Sequence, residues 1–183
     1  MKNHRAVIMD RDGTILEESH YLDDPEGIEI YAGVIPALRK LKIRGWKLIV
    51  GTNQSGIGRG YFSKDTLHKI HDRFLSICRK RGLEIDEIYY CPHHPKERCA
   101  CRKPKIGMLR KAERDFDLNL KDCVVVGDKR CDIDWGRRAG ARTILVLTGY
   151  GKSASRSTRA RAHYIAKTLT HAVQWILKND PTT

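Results

Sequence analysis

The sequence of 183 residues contains few aromatic residues and no long uninterrupted apolar run. A helix that crosses a bilayer needs about 20 consecutive apolar residues, so we expect no membrane span. Residues 1–5 lead directly into the first predicted strand and leave no room for an apolar signal segment, which favours a cytoplasmic location. Aromatic residues make up 7% of the chain and form no stacking platform beside the basic stretches, which makes nucleic acid an unlikely partner.

Acidic residues are also in deficit, because 22 Asp and Glu residues face 35 Lys and Arg residues and leave a net charge of +13. Such an excess attracts nucleic acid, anionic membranes and phosphorylated metabolites alike, so it identifies no partner by itself. Much of it falls in residues 64–81 and 102–114, where helical spacing places it on solvated faces, and in residues 152–162, which we expect to be a flexible basic loop. The length suits one domain over residues 1–183, without internal repeats, and a monomer is the default expectation.

Two carboxylates follow the first predicted strand. Residues 6–9 are apolar and rich in β-branched side chains, and Asp10 and Asp12 come directly after them. Open α/β sheets bind ligands at this edge, and side chains at i and i+2 of an extended segment point the same way. Two such carboxylates are costly unless a cation lies between them or one is protonated. An ordinary Asp-Gly turn has the same composition, so the remaining motifs decide the interpretation.

Later strands bring further polar residues to the same edge. A strand over 47–51 ends at Thr52, whose hydroxyl suits a phosphate together with the glycines that follow. A strand over 123–127 ends at Asp128, which completes an acidic cluster that favours Mg²⁺. A strand over 143–147 ends at residues 148–151, where we expect no chemistry. Helices predicted over 33–41, 64–81, 106–116, 133–139 and 168–178 alternate with the strands and imply an α/β fold, a three-layer, doubly wound, Rossmann-like parallel sheet.

The loop after the first motif, residues 15–24, lies beside the carboxylates. It is polar and irregular, and loops at this edge of a sheet commonly bind substrates. We therefore treat Glu18, Ser19, His20 and Tyr21 as candidates for substrate contact. A solvated connection is the alternative.

Three of the six cysteines, Cys91, Cys99 and Cys101, fall in one short segment that also contains His93 and His94. In a chain without an export signal such clustering favours a metal over disulfides. Cys91, His93, Cys99 and Cys101 form a Cys₃His set that suits a structural tetrahedral Zn²⁺ with no open position for chemistry. His94 is an alternative to His93, although the pairing of Cys91 with His93 at i and i+2 mirrors that of the other two cysteines. Free thiols on a surface loop are the simpler alternative.

The basic residues after this segment are candidates for binding a phosphate, because a metal-tethered loop would place cations well at the mouth of a site. We favour Lys103, with Lys105 as the alternative, since spacing does not separate them. A solvated basic run is also consistent with these residues.

Taken together, these motifs resemble the haloacid dehalogenase superfamily of phosphohydrolases over nearly the whole chain. The resemblance is carried by DRDGT at residues 10–14, by Thr52, by a lysine that follows, and by Gly127-Asp128 with Asp132. That family inserts a cap domain either after the first motif or between the second and third motifs. Neither interval of this sequence has room for a sizeable cap, so the resemblance implies a member without one. Within the superfamily, residues 52–57, 89–95, 101–104 and 127–129 resemble the heptose bisphosphate phosphatases, and histidinol-phosphate phosphatases share the zinc loop and the first motif.

The resemblance implies a Mg²⁺-dependent phosphatase with a small phosphorylated sugar as its substrate. It implies that Asp10 is the nucleophile, that Asp12 is the acid and base and binds Mg²⁺ through its carbonyl, and that Asp128 is a further Mg²⁺ ligand. It implies that the transferring phosphoryl group and the rest of the substrate contact Thr52, Asn53, Gln54, Ser55, Arg102, Lys103 and Lys129. A phosphatase of nucleic-acid ends and a non-catalytic zinc-binding module are the alternatives, and the second leaves the acidic cluster unexplained.

Overall fold

Six strands form the centre of the molecule, which the computed structural model describes over residues 4–180. The part of the predicted N-terminal segment that falls on residues 1–3 lies outside the described residues, as do residues 181–183. The strands are β1 (Ala6–Met9), β2 (Lys47–Asn53), β3 (Glu87–Cys91), β4 (Val124–Gly127), β5 (Arg142–Val146) and β6 (Tyr164–Ala166). The helices are α1 (Val34–Ile43), α2 (Ser55–Gly58), α3 (Lys64–Lys80), α4 (Gly107–Phe116), α5 (Arg130–Arg138), α6 (Arg156–Arg161) and α7 (Leu169–Lys178).

All neighbouring strands are parallel, in the order β3-β2-β1-β4-β5-β6. The chain leaves β1 towards β2 and β3, returns to place β4 on the other side of β1, and continues outwards to β5 and β6. The direction of winding therefore reverses between β1 and β4, and ligands of open α/β sheets bind at the carboxyl ends of the strands beside such a reversal. The prediction of a doubly wound parallel sheet is confirmed.

Helices cover both faces of this sheet. Val7 and Met9 of β1 pack with residues of α1, α3 and α7, whereas Ala6 and Ile8 pack with residues of α4 and α5. Each large side chain buried in this way stabilises the fold by roughly 1.5–3 kcal/mol relative to an exposed one. The result is the predicted three-layer arrangement, with a separate apolar core on each side. No helix between residues 4 and 180 combines the length and apolar character that a bilayer crossing requires.

One prediction about the second half of the chain is confirmed with an earlier start, and one is wrong. The helix predicted over 133–139 is α5, which begins at Arg130 because the Asp132 carboxylate accepts the backbone N–H of Lys129 at 3.0 Å and caps the first turn. Residues 152–162 are not a flexible loop, since α6 lies within them. Ser155 caps α6 by accepting the Thr158 N–H at 3.2 Å, and Thr158 is buried. The prediction of a single domain over residues 1–183 stays a prediction.

Candidate active site

Three carboxylates and one ammonium group meet at the carboxyl ends of β1 and β4. Asp10 follows β1, Asp128 follows β4, and Asp132 lies in the first turn of α5; oxygens of the three lie within 4.8 Å of one another. Lys103 reaches them from the loop before α4, with Nζ 2.7 Å from Asp10 Oδ1 and 2.6 Å from Asp132 Oδ1. Nζ also donates to the carbonyl of Gly51 at 2.8 Å. All four charged side chains are buried.

The electrostatics of this cluster favour a further cation. Burial raises the pKa of Asp10 to about 6 against the opposing effect of Lys103, and burial together with Asp10 and Asp132 raises the pKa of Asp128 to about 8. Burial would lower the pKa of Lys103, but Asp10 and Asp132 raise it above its ordinary value, so the lysine stays charged. Lys103 is the one cation in direct contact with these carboxylates, and Lys129 acts on Asp10 and Asp128 as a further positive charge, so a bound cation would relieve the repulsion that remains among the three carboxylates.

The cluster fits Mg²⁺. Oδ2 of Asp128 accepts the backbone N–H of Tyr150 at 2.8 Å, whereas its Oδ1 is buried and has no hydrogen-bond partner within residues 4–180. An unpartnered buried carboxylate oxygen beside two further carboxylates is a suitable ligand set for a hard divalent cation. Gly13 is required here, because its φ is +80° and a Cβ would lie 2.3 Å from Asp128 Oδ2.

The carboxylate of Asp12 is held apart from this cluster. Arg11, which is fully buried, donates from Nε to Asp12 Oδ1 and from Nη2 to Oδ2, both at 3.0 Å. Gln54 donates from Nε2 to Asp12 Oδ2 at 2.9 Å and to the Thr52 hydroxyl at 2.8 Å. Burial alone would raise the pKa of Asp12, but the adjacent guanidinium and these hydrogen bonds lower it. Asp12 is therefore ionised and fixed in orientation, and its predicted contact with Mg²⁺ through the main-chain carbonyl stays a prediction.

A cavity of about 340 Å³ opens above the cluster. The structure brings most of the predicted substrate residues to its wall: Glu18, His20, Tyr21, Thr52, Asn53, Ser55, Arg102, Lys103 and Lys129. Ser19 is exposed and does not line the cavity, so the structure does not bring it to the site. Gln54 lies beneath the wall, where it holds Asp12 and Thr52.

The structure also separates the two candidate lysines. Asn53 fixes the backbone of Lys103, since its Oδ1 accepts the Lys103 N–H at 3.0 Å and its Nδ2 donates to the Lys103 carbonyl at 3.3 Å. Lys105 instead donates to the carbonyl of Cys99 at 2.7 Å and lies outside the cavity. Arg102 lines the cavity, and its Nη1 is buried with no hydrogen-bond partner in the described part of the chain, which leaves it available to an anion.

The sequence motifs predict no site role for four residues that the structure places here, one of which, Cys131, lines the cavity. The signal for Asp132 is its position four residues after Asp128, in the first turn of a helix. Arg11 lies between the two first carboxylates, and nothing in the sequence shows that it is buried. Tyr150, in a segment for which no chemistry was expected, lines the cavity and donates to Asp128.

The four predicted zinc ligands lie together at the end of β3. The Cys101 Sγ lies 3.1 Å from Cys91 Sγ, 3.2 Å from His93 Nδ1 and 3.6 Å from Cys99 Sγ. A tetrahedral zinc with Zn–S bonds of about 2.3 Å requires ligand atoms roughly 3.5–3.8 Å apart, so small adjustments suffice. His94 lies outside this group, with Nδ1 accepting the Lys96 N–H at 3.1 Å. The residues fit a closed zinc site.

We expect the stability of the Mg²⁺-free protein to carry a pH dependence from Asp128. Its pKa of about 8 in the folded state exceeds the ordinary value of 3.8, so between these values the folded state holds a proton that the unfolded state lacks. The free energy of unfolding therefore falls as pH rises over this window, and Mg²⁺ should restore it at the alkaline end. Melting curves at about pH 6.5 and pH 8 test this above the value of about 6 to which burial raises the pKa of Asp10, and each kcal/mol corresponds to roughly 2–4 °C.

Asp128→Asn is the matched control for that measurement. The variant should melt above the wild type at the alkaline end without Mg²⁺, and added Mg²⁺ should stabilise it far less. An identical pH slope in both proteins would show that Asp128 is not the titrating group.

Comparisons with known proteins find relatives that share most of this sequence's length. A family model described as HAD-hydrolase-like matches residues 100–172. A D-glycero-D-manno-heptose-1,7-bisphosphate 7-phosphatase from Thermosynechococcus vestitus is 37% identical over 185 residues, covering 93% of this chain and 94% of its own length. A D-glycero-beta-D-manno-heptose-1,7-bisphosphate 7-phosphatase from Pseudomonas putida is 40% identical, covering 81% and 85%.

A solved structure extends the likeness to the fold. The D,D-heptose 1,7-bisphosphate phosphatase from B. bronchiseptica, complexed with magnesium and phosphate, superposes with a TM-score of 0.86 at 33% identity. The match covers 95% of this chain and 98% of that one.

Proposed function

Because the chain belongs to the haloacid dehalogenase-like hydrolases, in the family of the heptose bisphosphate phosphatases, we propose that it removes the C7 phosphate of D-glycero-D-manno-heptose 1,7-bisphosphate. It is a phosphatase, and a phosphorylated sugar is its substrate class. The observation that carries the proposal is the buried group of Asp10, Asp128, Asp132 and Lys103 at the base of a cavity lined with further cations. The product would serve heptose nucleotide biosynthesis.

In the first half of the reaction the Asp10 carboxylate attacks phosphorus. The new bond joins an Asp10 oxygen to phosphorus, and the bond between phosphorus and the C7 oxygen breaks with its electron pair on oxygen. Asp12 gives that oxygen a proton. Because the pairing with Arg11 favours ionised Asp12 in the free enzyme, Asp12 takes this proton from solvent when the dianionic phosphate binds beside it.

In the second half a water molecule hydrolyses the aspartyl-phosphate. Asp12 removes a proton from the water, whose oxygen attacks phosphorus, and the bond to Asp10 breaks and restores its carboxylate. Ionised Asp12, held by Arg11 and Gln54, suits this role. Lys103 and the Thr52 hydroxyl neutralise and orient the transferring group, since phosphoryl transfer depends mostly on positioning and charge.

Asp10 and Asp128 would hold Mg²⁺, with the Asp12 carbonyl as a further ligand and Asp132 beside them. When bound, the ion neutralises charge on the phosphate oxygens and orients the group for attack. Zn²⁺ would be held by Cys91, His93, Cys99 and Cys101 and would fix the loop that carries Arg102 and Lys103. The cytoplasmic location and the monomeric state stay predictions.

Substrate recognition beyond the transferring phosphate would come from residues around the rest of the cavity. Arg102, with its unpartnered Nη1, and Lys129 supply positive charge for a second phosphate. Asn53 and Ser55 line the same cavity and offer hydrogen bonds to sugar hydroxyls. A sugar with two phosphates would contact both the group around Lys103 and the pair of Arg102 and Lys129, whereas a monophosphate would contact only the first.

An assay with Mg²⁺ against three substrates tests the proposal: heptose bisphosphate in both anomeric forms, histidinol phosphate, and a 5′-phosphorylated oligonucleotide. We expect kcat/KM for one heptose anomer to be at least about 100-fold higher than kcat/KM for histidinol phosphate or the oligonucleotide. Buried cationic groups that bind a second phosphate are left without a partner when the substrate lacks that phosphate. Phosphorus NMR should show loss of the C7 phosphate alone. A preference for histidinol phosphate, or salt-sensitive activity on the oligonucleotide, would instead support the corresponding alternative.

A further inference from the structure

The segment that follows β5 is anchored on the active site although it carries none of the family motifs. The Thr148 hydroxyl donates to the carbonyl of Gly13 at 2.6 Å, and the Tyr150 N–H donates to Asp128 Oδ2 at 2.8 Å. Gly149, at φ +47°, lies so close that a Cβ would be 2.4 Å from the same Asp128 oxygen. The backbone of this segment is therefore fixed against Asp128, which places Tyr150 at the edge of the reaction cavity.

The Tyr150 side chain joins three site loops. Lys129 Nζ lies 4.4 Å from the centre of its ring, and its hydroxyl forms a hydrogen bond of 3.1 Å with His20 Nδ1. Glu18 completes the set, since its Oε2 lies 3.0 Å from Lys129 Nζ and its Oε1 accepts the His20 N–H at 3.0 Å. Each contact is partly exposed and modest alone, but the four residues form a closed ring of contacts, in which the link from Glu18 to His20 is made to the His20 backbone. We refer to Glu18, His20, Lys129 and Tyr150 as the rim cluster.

Two members of the rim cluster, Lys129 and Tyr150, lie between two adjoining cavities. The reaction cavity of about 340 Å³ lies on one side, and a second cavity of about 250 Å³ lies on the other. Tyr150 and Lys129 line both and so form the wall between them. His20 contacts this wall from the loop after β1, through its hydrogen bond to the Tyr150 hydroxyl. Its φ of 60° is uncommon for a residue with a side chain, which indicates that the backbone of this loop is constrained here.

We propose that Tyr150 is a specificity-determining residue, whose side chain closes the reaction cavity and limits the substrates to compact phosphate esters. The inference rests on the proposed phosphatase function. A compact sugar bisphosphate fits between the acidic cluster and the wall, whereas a phosphate ester with a bulky leaving group needs the space behind it. Side-chain variants isolate this role, because the contact from Tyr150 to Asp128 is made by the backbone.

The test compares three substrates in Tyr150→Ala and Tyr150→Phe: heptose bisphosphate, p-nitrophenyl phosphate and adenosine monophosphate. In Tyr150→Ala, kcat/KM for adenosine monophosphate relative to p-nitrophenyl phosphate should rise by about tenfold or more, as expected when a steric barrier in a pocket is removed. Tyr150→Phe keeps the ring and should change this ratio by less than about threefold, while raising KM for heptose bisphosphate through loss of the His20 hydrogen bond. Ile43→Ala, at a highly exposed residue at the end of α1 that does not line the cavity, should leave the ratio unchanged.

An unchanged ratio in folded Tyr150→Ala would overturn the proposal. If that variant does not fold, His20→Gly replaces it: glycine accepts the positive φ, the wall loses its support, and the ratio should rise by about threefold. An unchanged ratio in His20→Gly would then overturn the proposal. If the wild type hydrolyses p-nitrophenyl phosphate but not heptose bisphosphate, the proposed substrate is refuted. The role of Tyr150 can still be tested in that case, because the ratio compares the other two substrates.

Discussion

Asp10→Asn is expected to lower kcat by about 10⁴-fold or more, because an amide cannot form the covalent link to phosphorus. The variant should fold, since asparagine has nearly the shape of aspartate and its oxygen can still accept the hydrogen bond from Lys103, now 2.7 Å from Asp10 Oδ1. Burial opposes the charge of Asp10 and raises its pKa to about 6, and Asp132 still pairs with Lys103 in the variant, so the loss of the Asp10 charge costs little stability. The melting temperature should therefore stay within a few degrees of the wild type, or rise.

The measurement combines steady-state rates with rapid quenching of radiolabelled substrate. The wild type should yield a protein-bound phosphate that hydroxylamine releases, as an acyl phosphate does, and Asp10→Asn should yield none. Asp65→Asn, an identical change at an exposed residue of α3, serves as the control and should keep full activity. More than about one percent of wild-type turnover in Asp10→Asn would rule out Asp10 as the nucleophile.

Much of the fold was predictable because its determinants are local. β1 and β4 are short apolar runs that end at an aspartate, and α3 begins after Ser63, whose hydroxyl accepts the Thr66 N–H at 3.0 Å. α6 was missed because an arginine- and serine-rich composition resembles that of a disordered loop. Its stability depends on Thr158, which is buried, and on Arg161, which lies in hydrogen-bond range of Asp134 in α5; neither contact is visible in the sequence.

The candidate site was predictable where a residue directly follows a strand. Asp10, Thr52 and Asp128 could be placed because parallel strands bring their carboxyl ends to one edge. The burial of Arg11 against Asp12 and the reach of Tyr150 across two loops depend on tertiary packing and could not be predicted. The choice between Lys103 and Lys105 was open for the same reason.

His93→Ala is expected to lower both stability and turnover. Loss of one of four ligands should weaken zinc binding, and the loop from Cys91 to Lys103 would then lose the link that closes it. Lys103 lies two residues after Cys101, and a displacement of about 1 Å at a reacting group can cost 100-fold in rate, so we expect kcat to fall by about that factor. Zinc content, melting temperature and kcat of the variant check this expectation.

His94→Ala is the matched control, because the neighbouring histidine lies outside the ligand group. It should keep one equivalent of zinc and the kcat of the wild type. A chelator that removes zinc from the wild type should reproduce His93→Ala when Mg²⁺ is then restored, which separates loss of the structural ion from loss of the catalytic one. Full activity in a folded, zinc-free protein would show that the loop holds its shape without the metal.

Asn53 provides the reason why some activity should survive zinc loss. Its side-chain amide makes two hydrogen bonds to the backbone of Lys103, and the ammonium group is held by Asp10, Asp132 and the Gly51 carbonyl. Lys103 therefore has two supports, one through the metal loop and one through β2. Combining Asn53→Ala with His93→Ala should lower kcat by more than the product of the two single effects, because each support limits the damage from losing the other. Simple multiplication of the two effects would mean that the zinc loop and Asn53 act on Lys103 independently.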